Sequence, residues 1–283
     1  MSAPYPASVL VIGLGTMGRG IVRALRGTVT DLRSFDEAPV TDEPGARRYN
    51  DLADAARGVD IIIEAIVEDL SAKRTLLRYL EGIVPEAIIA STTSTFLPSG
   101  LATSPAQRRR LLLAHFFNPA DVVPLVEVVP AESTDRDAVE TVIRMLRATG
   151  KSVVRLQREV DGLVANRLQA ALIREAMHLR ARGVASAEDI DRVLTTGLGP
   201  RWSAAGCFEV MDQGGLDVWA RVLRRLVPDL ASGHECADEV DELVLRGQLG
   251  VKSGRGFASH DSDAAERYRH AVEGAFGARR DDS

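Results

Sequence analysis

The sequence predicts an α/β fold: a doubly wound, mostly parallel sheet over residues 1–160, an all-α domain over 161–260, and a tail over 261–283. Three observations lead there. Short apolar runs alternate with helix-patterned segments as far as Val153-Val154. The first of those runs breaks into a glycine-rich turn that opens a helix. Beyond about Val160 strand signals become scarce and helical patterns take over.

Residues 9–18 read VLVIGLGTMG, a β-favouring run into Gly13-x-Gly15-x-x-Gly18 with Thr16 and Met17 inside the turn. Gly13 permits the tight turn, Gly15 lets backbone approach a pyrophosphate, and Gly18 lets the helix pack on the strand. A glycine-rich turn with no ligand could share the triplet, but here a strand precedes it and a helix follows. The run Asp31–Phe35 then ends at Asp36, about 20 residues beyond Gly13, where an acid accepts hydrogen bonds from an adenosine ribose and repels a 2′-phosphate. The pattern favours NAD over NADP.

Residues 37–50 hold two prolines and a glycine and read as loop. Residues 59–66, VDIIIEAI, read as a buried strand, and Glu68, Asp69 and Ser71 open a helix through Lys73 to Leu80 with acids in its first turn. Ile88-Ile89-Ala90 leads to the hydroxyl-rich run Ser91 to Thr95. Hydroxyls after a strand can donate to a ligand or close a turn, and the pattern does not separate the two.

The stretch Arg110 to Pro130 carries the strongest chemical signal. Leu111, Leu112 and Leu113 form a run suited to a strand buried on both faces, and it stops at His115, one of five histidines. The next run, Leu125 to Val129, contains Glu127, a carboxylate that is costly to desolvate unless paired. Asn118-Pro119 turns the chain between them, so imidazole and carboxylate could meet. A His oriented by a carboxylate serves as a general base near neutral pH; a structural pair closing a loop would use the same residues. Thr134 to Gly150 then shows a helical apolar stripe.

In the second half, Gly162 to Arg182, Ser186 to Thr196, Leu216 to Leu230 and Ala237 to Arg246 read as helices, with Ser186 as a cap. Asn166, near the start of the first, could reach a cleft or serve as a structural amide. The composition, 45% apolar and 27% charged with a net charge of −5, suits an ordinary globular protein and gives no reason to expect nucleic acid or an anionic membrane as partner. Two cysteines, no leader and no long apolar run point to a cytoplasmic location without membrane spans. No metal site is expected.

The motifs GLGTMGRGI, EAIVEDLSAK, STTS, AHFFNPADVVPLVEVV, DGLVANRLQ and GVKSGRGF, in this order, resemble those of the 3-hydroxyacyl-CoA dehydrogenase family over Val9 to Phe257. The resemblance implies a Rossmann-type NAD domain and a helical domain that forms a homodimer. It implies His115 as the catalytic histidine with Glu127 as its partner, and Ser94 and Asn166 around the reacting group. It further implies that Glu68, Lys73, Asn118 and Lys252 contact NAD, besides Gly13 to Gly18 and Asp36.

Three departures qualify it. Family members usually carry a basic helical hairpin with CoA contacts after the ribose-binding acid, and here only Glu37 to Asn50 occupy that place. The family's Ser-Asn-Thr-Ser becomes Ser91-Thr92-Thr93-Ser94, and its Gly-Pro-Phe-Glu becomes Gly206-Cys207-Phe208-Glu209. Arg201, close by, is either an anion contact or a surface ion pair, and Cys207 reads as structural. The leading expectation is an NAD-dependent dehydrogenase of short 3-hydroxyacyl thioesters. A nearly equal alternative places the acyl group on an acyl carrier protein, as in hydroxymalonyl-type extender-unit synthesis, with Arg47-Arg48 and Arg108-Arg109-Arg110 as candidate docking residues. A third is oxidation of a free 3-hydroxy acid of the gulonate or carnitine type, with Arg201 holding the carboxylate.

Overall fold

A computed structural model describes residues 5–277. Within that range it divides into two compact units, residues 5–163 with 268–277, and residues 164–267. The terminal GARRDDS, expected to fray, lies outside the described residues apart from Gly277.

The first unit is built on one eight-stranded sheet. In chain order its elements are β1 (Tyr5–Ile12), α1 (Thr16–Leu25), β2 (Val29–Phe35), β3 (Arg47–Tyr49), α2 (Leu52–Ala56), β4 (Ile61–Glu64), α3 (Leu70–Ile83) and β5 (Ile88–Ser91). They continue with α4 (Pro98–Leu101), α5 (Pro105–Arg110), β6 (Leu111–Phe116), β7 (Leu125–Pro130), α6 (Arg136–Ala148) and β8 (Ser152–Arg155). The strand order is β3-β2-β1-β4-β5-β6-β7-β8. Strands β1 to β6 run parallel, whereas β7 is antiparallel to β6 and parallel to β8.

Successive strand side chains point to opposite faces, so an unbroken apolar run feeds two cores. Val9, Val11, Ile61, Ile63, Leu112 and Ala114 join one cluster with Ile21 and Leu25 of α1 and Val142 and Leu146 of α6. Leu10, Ile12, Ile62, Leu111 and Leu113 join the other with Ala55 of α2, Leu77 and Leu80 of α3 and Leu101 of α4. Helices therefore cover both faces, as the expected doubly wound sheet requires. Each fully buried Ile or Leu contributes roughly 1.5–3 kcal/mol. The strand order reverses about β1, which opens a crevice beyond the carboxyl ends of β1 and β4.

β3 falls inside the stretch expected to be loop. It is a three-residue edge strand, paired only with β2 and two-thirds arginine, too short to show an apolar period. Residues 36–46 carry no helix, so no hairpin arm intervenes between β2 and β3.

The second unit comprises α7 (Leu163–Ala181, which starts one residue before it), α8 (Ala187–Val193), α9 (Gly199–Ala204), α10 (Cys207–Gly214), α11 (Leu216–Leu226) and α12 (Glu235–Leu245). Ser186 caps α8 as expected, accepting from the Asp189 amide at 3.1 Å. The Glu175 carboxylate accepts from the Ala231 amide at 2.8 Å, and Arg180 pairs with Glu239 and stacks on Phe257. Its described residues include only two buried hydrophobics, Met177 and Val210. In place of the expected tail, α13 (Ala264–Gly277) follows, and from Tyr268 on it belongs to the sheet unit. No helix among the described residues is long and apolar enough to cross a membrane.

Ile62 lies fully buried in a central strand. Ile62→Ala is expected to cost about 2–5 kcal/mol, measured as a fall in the urea unfolding midpoint followed by circular dichroism.

Candidate active site

The glycine turn takes the form its spacing implies. Gly13 has a φ of +93°, and a Cβ there would lie 2.5 Å from the Ala65 carbonyl oxygen. A Cβ on Gly18 would lie 1.7 Å from the Gly13 carbonyl oxygen. Gly15 differs: nothing lies within 4 Å of where its Cβ would be, and it occupies the N-cap of α1 without a side-chain cap. The first turn of α1 holds no acid. Open space before uncapped amides at a helix N-terminus is an anion cradle. Thr16 and Met17 begin that helix.

Asp36 stands at the end of β2. Its Oδ2 accepts from the Leu14 amide at 2.6 Å and its Oδ1 from the Ala38 amide at 2.8 Å. The carboxylate is thereby fixed against the glycine turn, and each oxygen keeps acceptor capacity for ribose hydroxyls. The cradle and the acid together fit NAD.

The catalytic candidates sit further along the sheet. His115 and Glu127 are direct cross-strand partners in the antiparallel β6–β7 pair, so their side chains share one face. His115 Nδ1 lies 3.2 Å from Glu127 Oε2, with both residues buried. Phe117 packs edge-on against the imidazole at 4.7 Å between ring centroids. The loop joining these strands carries Asn118. Buried Lys151 holds that loop from below, its Nζ donating to the Ala120 and Val123 carbonyls at 2.5 and 2.8 Å. Asp121 in the same loop accepts from Arg23 of α1 and Arg269 of α13. Burial works against its ionised form, but the two guanidinium hydrogen bonds prevail and hold its pKa below the ordinary value.

Between these two centres lies an ion-pair cluster; the resemblance named Glu68 and Lys73 as cofactor contacts, but not Glu64, which joins them. Lys73 of α3 is fully buried, with Nζ 2.7 Å from Glu64 and 3.2 Å from Glu68. Glu68 also accepts from the Thr93 hydroxyl and from the Ser94 and Thr95 amides, the latter two at 3.2 Å. Partial burial pushes the Glu68 pKa up, but Thr93 and Lys73 outweigh it and hold the group below the usual carboxylate range. A sequence signal for the cluster exists. Of 35 basic residues only three are lysines, Lys73, Lys151 and Lys252, and two of these are buried.

The sheet unit thus brings together Gly13 to Gly18, Asp36, Glu68, Lys73, Ser94, His115, Asn118 and Glu127 along the carboxyl ends of its parallel strands. Asn166, Arg201 and Lys252 belong to the helical unit. Asn166 lies in the first turn of α7, Arg201 is exposed on α9, and Lys252 is exposed in a single turn over Val251–Ser253. Cys207 is exposed at the start of α10. Arg108 to Arg110 lie at the opposite end of β6 from His115, and Arg109 and Arg110 pair with Asp135 and Glu86. Arg48 donates to the Asp36 carbonyl at 2.8 Å, while Arg47 stacks on Tyr49.

Fold and crevice together define an NAD-dependent oxidoreductase with a Rossmann-type domain. The family profile described as "3-hydroxyacyl-CoA dehydrogenase, NAD binding domain" matches residues 45–160, and its C-terminal domain profile matches residues 162–260. The chain belongs to the 3-hydroxyacyl-CoA dehydrogenase family. It is 30% identical to the 5-formyl-3-hydroxy-2-methylpyridine 4-carboxylate 5-dehydrogenase of Mesorhizobium japonicum, over 94% of this chain and 96% of that protein. It is 36% identical to the L-carnitine dehydrogenase of Streptomyces coelicolor, over 90% of this chain and 81% of that one. Among solved structures, one described as an FHMPC 5-dehydrogenase, an NAD-dependent dismutase, superposes with a TM-score of 0.89 at 29% identity, covering 98% of each chain.

The two outer glycines of the turn separate folding from binding less cleanly than the middle one. Gly15→Val is expected to fold with an unchanged melting temperature yet lose NADH binding by fluorescence titration, because its side chain enters the open cradle. Gly18→Val, which meets backbone, is expected to destabilise the fold itself.

Proposed function

We propose that the protein uses NAD to oxidise a CH–OH group on a small carboxylate, with His115 as the base. The observation that carries this reading is the buried pairing of His115 Nδ1 with Glu127. With the Nδ1 proton donated to the carboxylate, the Nε2 lone pair is left for a substrate hydroxyl. Nε2 takes the hydroxyl proton as the carbon gives up its hydrogen with the bonding electron pair. Bound NAD supplies the acceptor for that hydride. Glu127 stabilises the imidazolium that results and keeps the ring from turning. Positioned proton transfer of this kind contributes roughly 10²–10⁴-fold. In this reading Ser94 and Asn166 hold substrate oxygens, and Glu68, Asn118 and Lys252 serve the cofactor.

Two facts support a free carboxylate. Residues 36–46 carry no helical arm of the kind that meets the nucleotide of CoA in the family. Two relatives matched over most of their length are named for carnitine and for a pyridine carboxylate. Arg201 is then the cation proposed to pair with the substrate's carboxylate.

The second reading is a short 3-hydroxyacyl thioester, on CoA or on an acyl carrier protein. It is favoured by the intact His115-to-Pro119 and Leu125-to-Val128 motifs of the family. For a carrier protein, Arg47 and Arg48 remain as docking residues. Arg108 to Arg110 stand a strand's length from His115, about 3.3 Å for each intervening residue.

The helical unit supports a further assignment, a homodimer. Phe208 and Leu245 are 80% and 86% exposed, and a unit with two buried hydrophobics gains too little from its own interior to order six helices. A second copy of the chain would cover that surface. Sedimentation is expected to give twice the chain mass, and a monomer at micromolar concentration would reject the assignment.

Turnover is best compared on free 3-hydroxy acids and on the matching acyl group offered as a CoA thioester and on a carrier protein. The expected outcome is higher kcat/KM for the free acid, with Arg201→Ala raising its KM; a thioester preference would move the assignment to the second reading. On whichever substrate turns over, His115→Ala should lower kcat about 10²–10⁴-fold while NADH affinity is retained.

A further inference from the structure

Glu64 takes no part in the chemistry above, yet it is fully buried at the last position of β4. Its Oε1 accepts from Lys73 Nζ at 2.7 Å and from the Ile66 amide at 2.9 Å. Its Oε2 accepts from the hydroxyl of Ser91, its register partner at the end of β5. Lys73 reaches Glu68 with the same ammonium, and Glu68 grips the Thr93–Thr95 loop through the hydroxyl and two amides. The contacts form a closed path: from Ser91 through Glu64, Lys73 and Glu68 to the loop that follows Ser91. Of the three charged groups only Glu68 is open to solvent, with 40% of its side chain exposed.

Two carboxylates share one ammonium, an arrangement that carries a net negative charge where desolvation is expensive. Packing alone would be served as well by apolar residues of similar volume. We propose that Glu64 and Lys73 are positioning residues of the cofactor site: by dividing one buried ammonium between two carboxylates, they hold Glu68 and the Ser94 loop at the spacing NAD requires. Lys73 acts through Glu68. Glu64 sets how far the ammonium is drawn toward the sheet. Without Glu64, the ammonium has Glu68 as its remaining carboxylate and pulls it inward, and the loop follows through its three hydrogen bonds. The compact ammonium on its flexible stem reaches both carboxylates, at 2.7 and 3.2 Å. A chain that uses arginine almost everywhere keeps lysine here.

The inference concerns cofactor binding and stands whichever substrate reading holds. The test is the NADH dissociation constant, by fluorescence titration, beside the melting temperature, for the wild type, Glu64→Gln, Lys73→Met, the double variant and Ser91→Ala. The single charge variants strand a buried charge and are expected to melt early. The double variant removes both charges and should recover stability while its NADH dissociation constant stays raised about tenfold or more. Its binding should also fail at a higher pH than in the wild type. Thr93 and Lys73 keep the Glu68 pKa low, and with the ammonium 3.2 Å away gone, Glu68 takes up its proton earlier as the pH falls, the loss of the Glu64 charge offsetting only part of this. A folded double variant with wild-type affinity and an unmoved acid limb would overturn the proposal and leave the cluster a packing feature. If the double variant does not fold, Ser91→Ala decides: it removes one hydrogen bond to Glu64, a weakened NADH affinity supports the clamp, and an unchanged one overturns it.

Discussion

The buried His115–Glu127 pair depends on one reversal of chain direction. Strands β1 to β6 are parallel, and a parallel neighbour would bring its residues to His115 from a distant crossover. Because β7 runs antiparallel, the residue facing His115 is Glu127, 12 positions along the chain. A register slip of one residue would turn the carboxylate to the other face of the sheet. The apolar neighbours of Glu127, Val126 and Val128 on one core and Val129 on the other, fix that register. Lys151 and Asp121 then secure the connecting loop from two sides.

The two units hold themselves together by different means. The sheet unit has a core on each face, assembled from alternate residues of the same strands. The helical unit has helices with well-defined starts, such as the Ser186 cap, and individual polar ties such as Glu175 to Ala231. Its apolar side chains remain largely at the surface. Local signals are enough to start helices, but isolated helices of this length gain little stability without packed faces. One unit therefore buries its apolar side chains in its own two cores, and the other leaves most of its apolar side chains at the surface.

What could be read from the sequence follows from what is local. The alternation of strands and helices, the glycine turn with Asp36, and the His115–Glu127 pairing all declare themselves in short windows, because a charged residue inside an apolar run needs a partner. Glu64 stands in such a run as well, directly after Ile61-Ile62-Ile63, and the same reasoning would have marked it. The run 59–66 contains it, but nothing in that window supplies a partner. Its partners Lys73 and Ser91 are 9 and 27 residues away, a relation fixed by tertiary packing. β3 was hidden for another reason, since three residues, two of them arginines, show no period. The helix α13 was masked by the glycines and charges of its last turns, which look like a tail.

The scarcity of lysine gives the molecule an unusual chemical face. With Lys73 and Lys151 enclosed and engaged, the only exposed side-chain amine among the described residues is Lys252, in its single turn of the helical unit. Acylation and carbamylation of side chains, which spread over many lysines on most proteins of this size, are thereby directed to one short segment. The guanidinium groups that supply nearly all the positive charge stay protonated and do not compete for acylating reagents.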